Sequence, residues 1–333
     1  MAQDRARKRA AMPAEDEPFE FFRGFSEIFV SVGLLILMGG VAALLTWVAG
    51  PSILIVLPAI CAAIAWWWAT YFTLKRRMNL PSMVLATTFG FGIFISIGTM
   101  IGNGGGGARL AVTASALAAV GAMVIWYRRF RLPFSAFILG GFGLIAIYSL
   151  TANVDSVRGI AVPSLSAGLF DLRNSPQFAL ATLAFGVAAF LAGMWFDTRD
   201  PYRLGRHAAT GFWLHLMAAP ALVNTVALTL YNTGGTGGMV GLTLALLAIA
   251  VLALVIDRRS FLTAAIIYIA LVLGWIVAGN RGGGIGQWIA VVILLGAVVT
   301  ALGTWWMPLR AGLMRMLPAF PGKDRLPPYA RVT

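Results

Sequence analysis

The sequence predicts an all-α protein, a polytopic bundle of about ten transmembrane helices. Of its 333 residues, 59% are hydrophobic and only 11% are charged, whereas soluble domains carry about 25% charged residues. The apolar residues also stand in long continuous runs and do not show the alternation of a membrane β-barrel. The chain is therefore expected to be a helical membrane protein and not a soluble globule.

Ten apolar runs account for most of the chain. A bilayer core is about 30 Å thick and needs about 20 apolar residues for each helical crossing. A helix-breaking pair, Gly50-Pro51, separates the first two runs. The runs cover 28–49, 51–74, 82–102, 109–127, 134–152, 177–197, 208–231, 238–256, 260–279 and 285–307.

Three regions follow from these runs. Residues 1–27 are expected to form a cytoplasmic tail with an interfacial lead-in, and residues 28–307 a membrane domain. Residues 308–333 form a basic, Pro-rich cytoplasmic tail. The loop at 153–176 is the longest outer connection and is interpreted as a short lid or re-entrant segment.

The basic residues predict the orientation, because Lys and Arg in short loops are retained in the cytoplasm. With both termini inside, 21 of the 25 basic residues are cytoplasmic, and four lie outside: Arg109, Arg158, Arg173 and Arg281. The pairs expected to determine the topology are Arg76 and Arg77, Arg128 and Arg129, and Arg258 and Arg259. Because these charges form short clusters between apolar runs, the net charge of +13 does not indicate nucleic-acid binding.

An internal repeat accompanies the basic clusters. The pattern Arg-Arg-x-x-Leu-Pro begins at Arg76 and again at Arg128, and a partial copy begins at Arg258. Each copy has the same orientation, which predicts parallel hairpin repeats, unlike the inverted repeats of many secondary transporters. The positive-inside rule acting on similar hairpins accounts for the pattern equally well.

Composition also predicts the location and the absence of a cofactor. Arg outnumbers Lys by 22 to 3, which is typical of GC-rich bacterial genes and indicates a bacterial inner membrane. Cys61 is the only cysteine and lies in an apolar run, so a disulfide within the chain is excluded. We expect no metal and no cofactor, with membrane lipids as the main surroundings and membrane-protein partners or a homo-oligomer as candidate associations.

The seventh run holds the candidate site. It contains Thr210, Trp213, His215 and Asn224, which we take as candidate substrate-binding residues, and Pro220, which is expected to kink the helix. One interpretation is a polar pocket near the middle of the bilayer, where His215 titrates, binds substrate or ligates a tetrapyrrole. The other is a neutral histidine that is hydrogen-bonded to a neighbouring helix.

The carboxylates offer no second site. All twelve are placed in tails, in loops or at helix ends. Asp197 and Asp257 end the sixth and eighth helices beside Arg199 and Arg258, and we expect them to pair with these neighbours at the membrane surface. The lack of an Asp or Glu in the middle of a span argues against a carrier that couples to ions through carboxylates.

Three functions from different classes remain, and an intramembrane enzyme ranks third among them. The first is a transporter-like protein that handles a lipid or small solute at a polar site near the kinked seventh helix. The alternative is a non-catalytic accessory or assembly subunit of a larger membrane complex. We do not expect an enzyme, because spacings such as HExxH and GxSxG are missing.

Overall fold

The computed structural model describes residues 24–151, 168–278 and 285–329. Across these residues the chain is helical and contains no strand. They divide into two compact units, one from the chain up to Thr151 and the other beginning at Gly168. The predicted lead-in before residue 24 and most of the predicted outer loop lie outside the described residues.

Five α-helices form the described part of the N-terminal unit: α1 (Phe25–Ala49), α2 (Leu57–Ala69), α3 (Asn79–Asn103), α4 (Ala108–Phe130) and α5 (Ser135–Thr151). The break predicted at Gly50-Pro51 is present, because Gly50 has φ 73° and a 3-10 turn follows it. A π-helical turn, Thr70–Lys75, extends α2. The core of this unit contains the rings of Trp66, Phe89, Trp126 and Phe130, whose neighbouring centroids lie 4.4–5.7 Å apart.

A buried carboxylate joins two helices of this unit. Glu27 lies in the first turn of α1, and its Oε2 accepts hydrogen bonds from the backbone N–H of Asn79 at 3.0 Å and of Leu80 at 3.1 Å. These N–H groups belong to the first turn of α3, where helical partners are missing. Met78 at the N-cap position supplies no side-chain hydrogen bond. Glu27 therefore caps α3 from outside that helix.

Six α-helices form the described part of the C-terminal unit: α6 (Pro176–Asp197), α7 (Arg206–Thr233), α8 (Gly235–Ile256), α9 (Ser260–Ala278), α10 (Ile285–Thr304) and α11 (Trp306–Met316). The helix α7 runs through Pro220 without a break. Its buried side chains pack with those of α8 and α9, among them Val223, Leu242 and Phe261.

In the described residues each predicted apolar run is mostly helical, but the described helices do not all qualify as spans. Seven are long and apolar enough to cross a membrane. The pair α10 and α11 makes an eighth if it is one span, although it bends by 70° at Trp305. Two apolar helices, at Ser135–Thr151 and Ser260–Gly274, are shorter. The structure therefore supports a helical membrane protein with seven candidate spans in the described residues.

The basic turns of the proposed repeat differ in backbone conformation. The residue with positive φ is Arg77 in the first turn and Arg131 in the second, each at φ 53°. Arg77 is four residues before Pro81, whereas Arg131 is two residues before Pro133. The two copies thus change direction at different points of the shared pattern, and the repeat stays a prediction.

The C-terminal segment begins as a helix and ends as an ordered tail. We expected a tail from residue 308, but α11 continues to Met316. The tail beyond it is irregular apart from a short 3-10 turn, Lys323–Arg325. Arg310 on α11 donates hydrogen bonds to the carbonyl groups of Pro327 and Pro328, so the described tail folds back onto this helix.

Candidate functional site

Three ionisable side chains meet inside the C-terminal unit, where α6 ends. His215 Nε2 lies 3.0 Å from Asp197 Oδ2. Arg258 donates from Nη2 to Asp197 Oδ1 at 2.6 Å and from Nε to Oδ2 at 3.1 Å. We call these three residues the Asp197 centre. Their side chains are 0%, 6% and 1% exposed for His215, Asp197 and Arg258, so the charges are removed from solvent.

The Asp197 centre joins four segments of the chain. Asp197 is the last residue of α6 and His215 lies on α7. Arg258 comes from the turn between α8 and α9, and it also donates to the carbonyl oxygen of Ala208 in the first turn of α7 at 2.9 Å. Phe261 of α9 packs against His215 with ring centroids 6.0 Å apart. Through these contacts the carboxylate of Asp197 connects α6 with α7 and with the turn between α8 and α9.

Two glycines make room for this centre. A Cβ atom added at Gly193 of α6 would lie 2.9 Å from Cε1 and Nε2 of His215. One added at Gly211 of α7 would collide with Asp197 Oδ1. Neither position has room for a Cβ atom. The absence of a side chain at these two glycines therefore allows α6 and α7 to approach closely.

A second charged group lies at the same end of the unit. Asp257 has φ 58° and ends α8, and its carboxylate accepts a hydrogen bond from Trp306 Nε1 at 2.7 Å. Arg203 Nη1 lies 3.5 Å from Asp257 Oδ2, and Arg310 Nε lies 3.8 Å from Oδ1. Burial acts to raise the pKa of Asp257, but the charges of Arg203 and Arg310 and the bond from Trp306 outweigh it. The pKa of Asp257 is therefore held below its ordinary value.

Arginines also satisfy the end of α8. The last carbonyl groups of a helix lack helical partners. Arg203 donates to the carbonyl oxygens of Ile256 and Asp257 at 2.8 and 2.7 Å, and Arg310 donates to that of Leu254 at 3.0 Å. Positive charge is favourable at this end of a helix dipole. Two arginines from different segments therefore fix the position of α8.

The opposite end of α7 carries a polar contact of its own. Asp171 is 1% exposed, and its Oδ2 accepts hydrogen bonds at 3.0 Å from Asn174 and from Asn232 at the end of α7. The backbone N–H of Leu172 donates to Thr229. The described end of the outer loop is thus packed onto α7.

The four predicted substrate-binding residues do not converge on one pocket. Asn224 lies nine residues after His215, which is about 13 Å along the helix, and it accepts a hydrogen bond from Tyr268 at 2.9 Å. Thr210 donates to the backbone of Arg206. Trp213 is buried, but a spacing of two residues places it on the opposite face of α7 from His215. The structure therefore joins His215 to Asp197 and Arg258 and not to the other three.

The predicted partners of the carboxylates were wrong in detail. Asp197 pairs with Arg258, 61 residues away in sequence, and not with its neighbour Arg199. The guanidinium of Arg199 instead lies 3.4 Å from the ring centroid of Trp195. Asp257 lies 3.5 Å from Arg203 and 3.8 Å from Arg310, whereas the guanidinium of the adjacent Arg258 bonds to Asp197. Sequence proximity indicated the correct type of interaction but could not identify residues brought together by folding.

The basic pairs also separate into two kinds. Arg76, Arg77, Arg128, Arg129 and Arg259 are exposed, as topology-determining residues are expected to be. Arg258 is almost fully buried and is a member of the Asp197 centre. One feature of the sequence distinguishes Arg258. It directly follows Asp257, and its partial copy of the repeat lacks the Pro that the other two copies contain.

Comparison of the sequence and the structure with known protein families, curated proteins and solved structures found no match. Among the described residues, no group of three or more His, Cys, Asp or Glu side chains is arranged to hold a metal ion.

Proposed function

We propose that this chain is a transport-type membrane protein that handles a small solute or lipid, with the Asp197 centre as its working site. The observation that carries the proposal is the mutual contact of Asp197, His215 and Arg258 with almost no exposure. His215 lies within α7 and not at its end, and ionisable side chains inside a span are costly and by default mark sites of solute, ion or proton handling.

The packing around the centre supports a function beyond helix attachment. Replacing a buried ion pair by well-packed apolar residues is often neutral or stabilising, so attachment alone does not require these charges. Gly193 and Gly211 leave the space that the charged residues fill. Glycine in a helix interior costs about 1 kcal/mol relative to alanine. Both helices that flank the centre carry a glycine despite this cost.

We further propose ten crossings of a bacterial inner membrane, with both termini in the cytoplasm. With both termini in the cytoplasm, 21 basic residues lie on the cytoplasmic side and four on the outer side, and this asymmetry supports the orientation. Ser135–Thr151 has 17 residues, which is the lower limit for a crossing. Ser260–Ala278 has 19 residues and a similarly apolar sequence. On this topology the Asp197 centre lies toward the cytoplasmic end of its helices.

Native mass spectrometry of the protein in mild detergent tests the function. We expect a retained lipid or small molecule that is lost in His215→Ala and in Gly193→Ala, because both changes disturb the centre. Gly296→Ala on α10 is the matched control, since an added Cβ there meets nothing within 4 Å. Equal retention in all four proteins would contradict the proposal.

One observation favours the alternative, a non-catalytic accessory or assembly subunit. The polar groups expected to bind a solute are engaged within the chain, with Asn224 bonded to Tyr268 and Thr210 to the backbone. An accessory subunit needs no free polar groups in its interior. Stoichiometric partner polypeptides in the same mass spectra, with no bound ligand and no effect of His215→Ala, would favour this function.

A further inference from the structure

The hydrogen bond between His215 and Asp197 defines the tautomer of the histidine. A carboxylate can only accept, so Nε2 of His215 carries the hydrogen that it donates to Asp197 Oδ2. In a neutral ring, Nδ1 then carries a lone pair and no hydrogen. This atom is buried and has no hydrogen-bond partner among the described residues. Buried polar atoms without partners are rare and call for an explanation.

Asp197 Oδ2 is shared by two donors. It accepts from His215 Nε2 and from Arg258 Nε, at 3.0 and 3.1 Å. With a neutral His215, the centre holds one negative and one positive charge and is balanced. A proton on Nδ1 would place a second positive charge against the same carboxylate in a site excluded from water.

The charged groups around His215 come from three segments. Asp197 approaches from α6, Arg258 from the turn between α8 and α9, and Arg203 acts from the loop between α6 and α7. Two aromatic rings also pack against His215, Phe190 of α6 at 5.4 Å between centroids and Phe261 of α9 at 6.0 Å. An imidazolium here would therefore face two guanidinium groups and one carboxylate.

We propose that Nδ1 of His215 is a proton-binding site, and that its occupation weakens the ion pair between Arg258 and Asp197. The Nδ1 lone pair accepts a proton supplied by hydronium, which is left as water, and no covalent bond of the protein breaks. His215 and Arg258 then compete for one carboxylate, because two cations so close together repel each other strongly at low dielectric.

Release of Arg258 would loosen the junction of α6 and α7 with the turn between α8 and α9. Arg258 is the side chain that bridges Asp197 and the carbonyl group of Ala208. Proton binding at one atom would thereby alter the contacts of three segments. The proton site itself does not depend on the proposed function. Only the consequence of proton binding, the movement of a solute, rests on that function.

Nitrogen NMR of the full-length protein in nanodiscs, with isotope-labelled histidine, tests this inference. The chain has only two histidines, so His207→Gln leaves His215 as the single source of signal. At neutral pH we expect the neutral ring with hydrogen on Nε2 and none on Nδ1. Acidification should convert the Nδ1 signal to that of a protonated nitrogen.

A second variant tests the competition. In His207→Gln/Arg258→Gln, one cation is removed, and conversion of His215 should occur at a higher pH than in His207→Gln alone. Arg259→Gln is the matched control, because Arg259 is the exposed neighbour of Arg258 and its loss should leave the transition in place. A hydrogen on Nδ1 at neutral pH, or a transition that Arg258→Gln does not move, would overturn the inference.

The proposed function is measured separately in vesicles. Proteoliposomes containing the full chain and an internal pH dye report whether an imposed pH gradient decays faster than in empty vesicles. If the NMR transition is present but the gradient is unaffected and no ligand is retained in native mass spectra, the transport function fails and the proton site stands. If the transition is absent, the proton site fails whatever the vesicles show.

Discussion

At the residue scale, the C-terminal unit holds a buried ion pair between Asp197 and Arg258. A buried ion pair adds little net stability over apolar residues, but the loss of one partner leaves the other charge buried and unpaired. The sequence placed Asp197 at a helix end and Arg258 in a turn. It could not join them, because 61 residues separate the two and only the fold sets their distance.

Removal of Arg258 is therefore expected to be strongly destabilising. Arg258→Met should lower the free energy of unfolding by about 3–5 kcal/mol, because Asp197 keeps its charge without its partner. Unfolding by SDS titration, followed by tryptophan fluorescence, measures this loss. Arg259→Met, at the exposed neighbouring position, should change stability by less than about 0.5 kcal/mol. Equal losses in the free energy of unfolding for the two variants would show that the buried pair is not a special source of stability.

Glu27 gives a similar test in the N-terminal unit. Glu27→Ala removes the acceptor for two N–H groups at the start of α3 and should cost about 0.5–2 kcal/mol, as the loss of a helix cap does. Glu27→Gln keeps an oxygen acceptor and should cost less. The same unfolding titration compares the two variants. A larger loss of stability in Glu27→Gln than in Glu27→Ala would show that Glu27 does not stabilise the protein by capping α3.

At the element scale, the end of α8 depends on groups from a loop and from another helix. Arg203, Arg310 and Trp306 all contact Asp257. The αL conformation of Asp257 ends the helix and is uncommon for residues other than glycine. The local sequence marks the turn but does not predict that distant arginines complete the helix end.

The lowered pKa of Asp257 predicts a dependence of stability on pH. Its contribution is complete above the ordinary carboxyl pKa of about 3.9 and is lost as pH falls through the lower value in the folded state. Asp257→Asn should be less stable than the parent near neutral pH and should lose less stability on acidification below about pH 4. Thermal unfolding measured by circular dichroism across this pH range checks the difference. Asp324→Asn, at an exposed position in the tail, should follow the parent curve.

The tail gives a second test at this scale. Arg310 holds the carbonyl groups of Pro327 and Pro328, and Leu326 is buried. Arg310→Met should release the tail and increase the rate of trypsin cleavage after Lys323 and Arg325 several-fold, as followed by mass spectrometry. Arg315→Met removes an exposed arginine from the same helix and should leave that rate unchanged. Rapid cleavage in the parent protein would contradict a docked tail.

At the scale of the whole molecule, topology is the property on which the sequence bears most directly. Single cysteines in a Cys61→Ala background test the proposed orientation by labelling with an impermeant maleimide. Asn103→Cys lies at a proposed outer turn and Met316→Cys in the proposed cytoplasmic tail, and both positions are exposed. In inner-membrane vesicles of known orientation, we expect the two positions to be labelled from opposite sides. Labelling of both from the same side would reject the proposed topology.

The sequence by itself determined that this is a helical membrane protein, because hydrophobicity and charge act locally, along each run of residues. It located most of the helices, the break at Gly50 and His215 within an apolar run. Tertiary structure alone decided that His215 meets Asp197 and Arg258, and that Asn224 faces Tyr268 instead. The physical reason is that hydrogen bonds and ion pairs depend on distances of about 3 Å, and only the packing of α6, α7, α8 and α9 sets those distances.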